Sequence, residues 1–358
     1  MNLNLRTLLN YRALIIFTAF FSTFLFLVWT NSFGLRTALY LDTKIHSLNI
    51  QDGQVVQRSG QSYLNISGRV GLLADSIEVA LLTPDKKWIS ENDWIDLDSS
   101  PNLTHFEGKI AYPSEGWIKI FSRSQGYGYR LANAIQVGIG EVFIIAGQSN
   151  ASGGSETLFI SQSNQVRTGQ MQEDHSILWK QGDDPQIRGG GGSPWPLVGD
   201  LLVKTLDIPV GFINVAVGGS SIKEWEQGSQ NFQGLIRAIE AYKPSGVRAI
   251  LWHQGETDQG MTLEEYYTRL SKLIIDCQKV YKIPWMVAQA TYADDNISES
   301  VRKAQKRIWD EGLAFEGPDT DVLGRTYRDQ TQVHFNEAGT HLAAKLWFEK
   351  IQSVFFKK

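Results

Sequence analysis

Gly140-Glu141-Val142-Phe143-Ile144-Ile145-Ala146-Gly147-Gln148-Ser149-Asn150 is a short apolar run that stops abruptly at a Gly, a Gln, a Ser and an Asn. From Val142 to Ala146 every residue is β-branched, aromatic or small and none is charged, which is the composition of a strand covered on both faces. Gly147 frees the backbone to turn, and a serine just past such a strand lies in the crevice where open α/β sheets bind ligands. Ser149 is therefore the candidate nucleophile. Alone, the same four residues also read as an ordinary polar turn in which Ser149 or Asn150 caps the next helix, so the downstream sequence has to decide.

Beyond Gly140 the chain alternates short apolar runs with longer helical patterns, the signature of a parallel sheet with helices on both faces. Strands are expected at Val142–Ala146, Val210–Val217, Ala249–Trp252, Met286–Ala290 and Asp321–Leu323. Helices are expected at Phe232–Tyr242, Leu263–Val280, Glu299–Trp309 and Glu337–Phe348, where apolar residues recur at three- and four-residue intervals. Asp183–Pro196, with Gly189 to Gly192 in a row, is too Gly-rich for regular structure and reads as a loop at the mouth of the site. Upstream, Leu41–Val137 shows short alternating runs split by Gly, Pro, Asp and Ser turns, as in a small β-sandwich. The expected organisation is thus 1–40 as tail, anchor and linker, 41–138 as a sandwich, and 139–358 as the α/β domain.

The 358 residues carry a formal charge of -4 with no basic stripe or block, which argues against a nucleic-acid partner. Cys277 is the only cysteine, so no intramolecular disulfide and no cysteine-based zinc site can form. His253 and Glu256 lack the helical setting and the spacing of a zincin motif, and no metal or cofactor is expected. Ala13–Thr30 is uncharged and rich in Phe, Leu and Ile, with Arg6 and Arg12 before it. That pattern favours an uncleaved membrane anchor with a cytoplasmic tail over a signal peptide, and it places the rest of the chain outside the cytoplasm.

Three further stretches end at the same edge of the expected sheet: Gly218-Gly219-Ser220, Trp252-His253-Gln254-Gly255-Glu256-Thr257-Asp258, and Val333-His334-Phe335-Asn336. Acyl transfer needs a serine, an imidazole to take its proton, and donors aimed at the developing oxyanion. Ser149 would be the nucleophile and His334 the base, with the Ser149 and Gly219 N–H groups and the Gln254 amide forming the oxyanion hole. Taken with Gly147-Gln148-Ser149-Asn150, these blocks in this order resemble the sialate O-acetylesterase and acetylxylan esterase branch of the SGNH hydrolase superfamily.

The resemblance implies a three-layer αβα, flavodoxin-like fold and metal-free hydrolysis of acetyl esters on carbohydrate through an acetyl-serine intermediate. Gln254 occupies the place other superfamily branches give to Asn, and a preceding β-sandwich is similar to that of some bacterial members. The same site could also serve an acetyltransferase, or be catalytically silent in a carbohydrate-binding or assembly protein. One departure bears on this: the family commonly carries an Asp three residues before the histidine, and here that position is Thr331. Three substitutes remain for the triad acid, namely Asp329, Glu256 and a backbone carbonyl near Thr331. The carbonyl asks least of the sequence, because it needs no side-chain match.

Overall fold

The computed structural model describes residues 42–58, 63–126, 130–132, 134–172, 176–186 and 189–357. The expected anchor at 13–30 lies outside them, and among the described residues no helix is long and apolar enough to cross a membrane. The described residues open with β1 (Ile45–Leu48), β2 (Gln54–Gln57), β3 (Tyr63–Val70), β4 (Ser76–Leu82), β5 (Ile95–Asp98), β6 (His105–Ala111), β7 (Gly116–Gln125) and β8 (Arg130–Leu131). β3 pairs antiparallel with β1 and β6 to make one sheet. β4 pairs with β5 and β7 in a second. Leu64, Ile66, Phe106 and Ile110 from the first meet Ile77, Val79, Ile118 and Ile120 from the second in one buried cluster, as period-two alternation requires.

The 13-residue strand β9 (Ile135–Gly147) joins this sandwich to the rest of the chain. Its first half pairs with β7 and β2, and its second half becomes the central strand of the α/β sheet. A single strand thus runs straight through the boundary expected at 138 and 139. Glu141 stands just past it, fully buried, its carboxylate accepting from Gln57 Nε2 at 2.9 Å, from Arg248 Nε at 2.7 Å and from Arg58. A buried carboxylate is tolerated there because donors surround it.

The α/β part contains β10 (Val166–Met171), β11 (Ile177–Gln181), β12 (Val210–Asn214), β13 (Ala249–His253), β14 (Trp285–Gln289) and β15 (Phe315–Asp319). Its helices are α1 (Ser149–Ser152), α2 (Trp195–Leu206), α3 (Gln230–Tyr242), α4 (Leu263–Val280), α5 (Glu299–Asp310) and α6 (Glu337–Phe355). The sheet order is β11-β10-β12-β9-β13-β14-β15, parallel except for β11, which runs antiparallel to β10 and makes the sheet mixed. Val142, Ile144 and Ala146 of β9 pack on the side that carries α3, α4 and α5, while Phe143 and Ile145 face α2 and α6. Ser229, Thr262, Ser298 and Asn336 cap the last four helices by accepting a backbone N–H.

Two differences from the sequence reading concern elements. The segment Asp321–Leu323 is a turn, and the last strand is instead Phe315–Asp319, a sheet edge where Gly317 and Pro318 are tolerated. The hairpin of β10 and β11 and the helix α2 fill the interval before β12.

Candidate active site

The parallel order brings the C-terminal ends of β12, β9 and β13 side by side, and the chain reverses there over bonds that run from strand to strand. Val217 N donates to Gly147 O at 2.9 Å, and Gln148 N donates to His253 O at 3.0 Å. Gly147 has φ of 133°, and a Cβ there would stand 2.0 Å from His253 O, so this turn admits only glycine. Gln148 Oε1 then accepts from Gln254 Nε2 at 3.2 Å and from Thr257 N at 3.2 Å, locking the turn onto the loop after β13. Ser149 begins α1 half-buried, between buried Gln148 and Asn150. Ala151 O takes Trp195 Nε1 at 2.6 Å and Asn214 Nδ2 at 2.9 Å, which anchors the short helix from below.

His334 sits on a small hairpin before α6. Asp329 N donates to His334 O at 2.9 Å and Asn336 N to Tyr327 O at 3.1 Å, with Arg328 paired opposite Phe335. This pairing sets Asp329 across from His334, and Asp329 Oδ2 lies 3.8 Å from His334 Nδ1. Thr331 does not face the imidazole. It closes the hairpin loop, its N–H donating to Asp329 Oδ1 at 2.8 Å and its Oγ1 accepting from His334 N at 3.1 Å. Of the three candidates, no backbone carbonyl pairs with the ring among the described residues, and the Asp329 carboxylate stands near its Nδ1. At 3.8 Å it makes an ion-pair contact and not a hydrogen bond.

The imidazole lies against Gly154, where a Cβ would come within 2.7 Å of His334 Cδ2. Any side chain at 154 would push the ring aside. Burial pulls the His334 pKa below its ordinary value, the nearby Asp329 charge offsets part of this, and Arg328 adds to the lowering. The ring is accordingly neutral at pH 7 and free to accept a proton.

Gly218 lies beside Ser149, a Cβ there coming 3.9 Å from Ser149 Cβ, and Gly219 follows at φ of 69° with nothing within 4 Å of where its Cβ would stand. Among the described residues no protein acceptor takes the N–H of Ser149 or of Gly219. Gln254 differs from the expected donor role. Its side chain is fully buried, and the two Nε2 protons are shared among Asp258 Oδ2 at 2.7 Å, Ser220 O at 3.2 Å and Gln148 Oε1 at 3.2 Å. Tyr266 OH donates to its Oε1 at 2.8 Å. The amide holds the Gly219-Ser220 turn from beneath.

Glu256 likewise turns away from His334. Its Oε1 accepts from Asn150 Nδ2 at 2.8 Å and lies 3.7 Å from His253 Nε2. Burial raises Glu256 to about 7, opposed by the Asn150 hydrogen bond, and lowers His253 to about 3, so both are mainly neutral in mildly acidic solution. Thr320 Oγ1 gives its proton to Gln289 O at 2.9 Å, so at 3.3 Å it accepts from His253 Nε2, which assigns that tautomer. No group of three His, Cys, Asp or Glu side chains among the described residues is arranged to hold a metal ion.

The glycine loop reaches the site as its position in sequence suggests. Gly191 N donates to Gly153 O at 3.2 Å, and Ser155 and Gly192 exchange backbone bonds at 3.1 and 2.7 Å. Half-buried Asp184 fastens this loop by accepting from Ser193 N at 2.8 Å and Ser193 Oγ at 2.7 Å. Asn150 and Gly154 meet segments far along the chain, Glu256, Val333 and His334, so sequence reasoning gave them no site role, and Arg328 was passed over because its contacts depend on the local fold of the hairpin. Arg328 is buried and donates to Val333 O at 2.7 Å, Leu323 O at 2.8 Å and Thr320 O at 2.9 Å, with Phe335 4.2 Å from its guanidinium.

A half-buried serine beyond the central strand of a doubly wound sheet, with a histidine on the loop before the last helix, defines an SGNH-like hydrolase. The chain belongs to the sialic acid-specific acetylesterase family of carbohydrate esterases, whose model matches residues 139–352. It is 24% identical over 192 residues to a protein of Arabidopsis thaliana named a probable carbohydrate esterase, covering 46% of this chain and 74% of that one. The fold is similar to that of a carbohydrate acetylesterase from Xanthomonas citri, with a TM-score of 0.60 at 17% identity over 88% of this chain and 76% of the other. A solved Arabidopsis thaliana protein gives 0.50 at 20% identity, over 60% of this chain and 98% of its own.

Proposed function

We propose that this carbohydrate esterase hydrolyses acetyl esters on sialic acid or on a polysaccharide through an acetyl-serine intermediate. Ser149 Oγ attacks the acetyl carbonyl while neutral His334 takes its proton. The N–H groups of Ser149 and Gly219 receive the developing oxyanion, and Gln254 keeps the Gly219 turn in place. Collapse breaks the ester C–O bond, His334 returns the proton to the departing sugar oxygen, and acetyl-Ser149 remains. Water then attacks the acetyl carbon with His334 again as base, the acetyl–Oγ bond breaks, His334 returns the proton to Ser149 Oγ, and acetate leaves. Asp329 stabilises the imidazolium formed in both halves. An anchor at 13–30 would hold this chemistry at the outer face of a membrane, where such glycans are met.

The observation that supports this reading is that Asn150, next to half-buried Ser149, donates to Val333 O and accepts from Phe335 N on either side of half-buried His334, whose Nδ1 has a carboxylate oxygen at 3.8 Å. With Asp329 in that position, Thr331 gives no reason to regard the site as silent. The test is to incubate the protein with acetylated sialic acids, acetylated xylan and bacterial exopolysaccharides, with and without a free sugar acceptor. Acetate released at a rate independent of acceptor is expected. Acetyl groups recovered on the acceptor in place of acetate would make the protein a transferase, and no turnover of any acetyl ester would remove the reading.

A further inference from the structure

We infer that Asn150 is a positioning residue that sets the nucleophile against its base, with Glu256 fixing the orientation of its amide; this rests on the serine-esterase reading above. Asn150 is 2% exposed and follows Ser149 directly. Its Nδ2 donates to Val333 O at 3.2 Å and its Oδ1 accepts from Phe335 N at 3.4 Å. Those two peptide groups flank His334 on either side. A carboxamide presents a donor and an acceptor side by side, as no other side chain of this size does, and here it matches the two backbone groups together. The residue next to the nucleophile therefore grips the residues on both sides of the base, and the separation of Ser149 from His334 is set by one side chain.

Glu256 supplies the second half of the device. The other Nδ2 proton goes to Glu256 Oε1 at 2.8 Å, and a carboxyl oxygen that accepts there forces the nitrogen of the amide to that side. A flip of Asn150 would bring oxygen against oxygen at Glu256 and nitrogen against the Phe335 N–H. Glu256 Oε2 is buried with no hydrogen-bond partner among the described residues. Keeping such a group costs stability, so what it contributes is the orientation of the amide and not the strength of the fold. Val333 O also accepts from Arg328 Nη1 at 2.7 Å, so that carbonyl stays paired when Asn150 is removed and the hairpin keeps its anchor.

The test compares Asn150→Ala, Asn150→Asp, Glu256→Ala and Glu256→Gln with the wild-type full chain, following aryl acetate hydrolysis across the pH range together with the melting temperature. A misplacement of about 1 Å costs about a hundredfold, so Asn150→Ala should lower kcat by about that factor while KM stays within about threefold. Asn150→Asp has the same shape but loses the donor and sets two carboxyls in one buried site, which raises the pKa of one of them. Its deficit relative to wild type should therefore shrink as the pH is lowered and a protonated carboxyl regains a donor for Val333. This variant also carries the test should Asn150→Ala fail to fold. Glu256→Gln, which keeps an acceptor oxygen, should recover most of the kcat that Glu256→Ala loses. Folded Asn150→Ala and Asn150→Asp proteins with kcat within about threefold of wild type at every pH, alongside an inactive Ser149→Ala, would overturn the positioning role and leave the esterase reading standing. Wild type and Ser149→Ala hydrolysing at the same rate would overturn the esterase reading itself, and this inference with it.

Discussion

Replacing Asp329 by Asn removes the charge behind His334 and little else. The amide keeps an oxygen to accept the Thr331 N–H, now made at 2.8 Å, so the hairpin loop should survive. At 3.8 Å, a carboxylate and an imidazolium attract by about 4 kcal/mol in a medium of effective dielectric about 20. With 1.36 kcal/mol per factor of ten, that is about a thousandfold in the rate of a step that creates the imidazolium. The His334 side chain is 26% exposed, and water screens part of the attraction. We therefore expect Asp329→Asn to lower kcat by about a hundredfold to a thousandfold, short of the roughly ten-thousandfold typical of a fully hydrogen-bonded triad acid. The assay is steady-state hydrolysis of an aryl acetate over a pH series with KM measured at each point. Because Asp329 raises the His334 pKa, its removal should also move the acid limb of kcat/KM to lower pH. A folded variant that keeps more than about a tenth of kcat, with its acid limb unmoved, would refute Asp329 as the third member.

Gln254→Ala breaks the bonds to Asp258, Ser220 O and Gln148 at once, so it should cost about 2 to 4 kcal/mol of stability in urea unfolding as well as activity. A pure kcat loss at unchanged stability would instead restore Gln254 as a direct oxyanion donor. The pH dependence of stability should carry the mark of Glu256, whose pKa burial raises from 4.5 to about 7. Its contribution is fully present below about 4.5 and is lost as the pH rises through about 7, so Glu256→Gln should flatten the decline of melting temperature over that range. His253, lowered from 6.5 to about 3, acts in the opposite sense, its contribution being present above 6.5 and lost as the pH falls toward 3. Identical melting profiles for wild type and Glu256→Gln would contradict the placement of that carboxyl.

The residues that make the α/β sheet were legible because their patterns are local. Val142 to Ala146 could only be a covered strand, and α4 was bounded at Leu263 and Val280 by its own periodicity. The helix α2 escaped notice because its first turn, Trp195-Pro196, is read as the end of a glycine loop, although a proline in the first turn is itself a start signal. β15 escaped for the opposite reason, since Phe315-Glu316-Gly317-Pro318-Asp319 has neither alternation nor an apolar run and holds its place by edge pairing with β14. Within the site, Ser149, Gly219 and His334 were visible as breaks after strands or before a helix. Asp329 was visible only as one of three candidates for the acid, because a motif fixes distance along the chain whereas the hairpin that sets Asp329 across from His334 fixes distance in space. Gln254 shows the same limit: its presence in the cluster was legible, but the direction of its amide depends on Asp258, Ser220 and Gln148 together.

The central claim is that Ser149 carries the acetyl group. It is tested most directly by purified Ser149→Ala beside wild type, on acetylated sialic acid and on an aryl acetate, with acetate release and melting temperature read in the same preparations. We predict turnover by the wild type, loss of activity to background in the variant, and an unchanged melting temperature, because the hydroxyl is half-buried and Ser149 Oγ has no hydrogen-bond partner among the described residues to lose. A folded Ser149→Ala protein that releases acetate at more than a few per cent of the wild-type rate would contradict it.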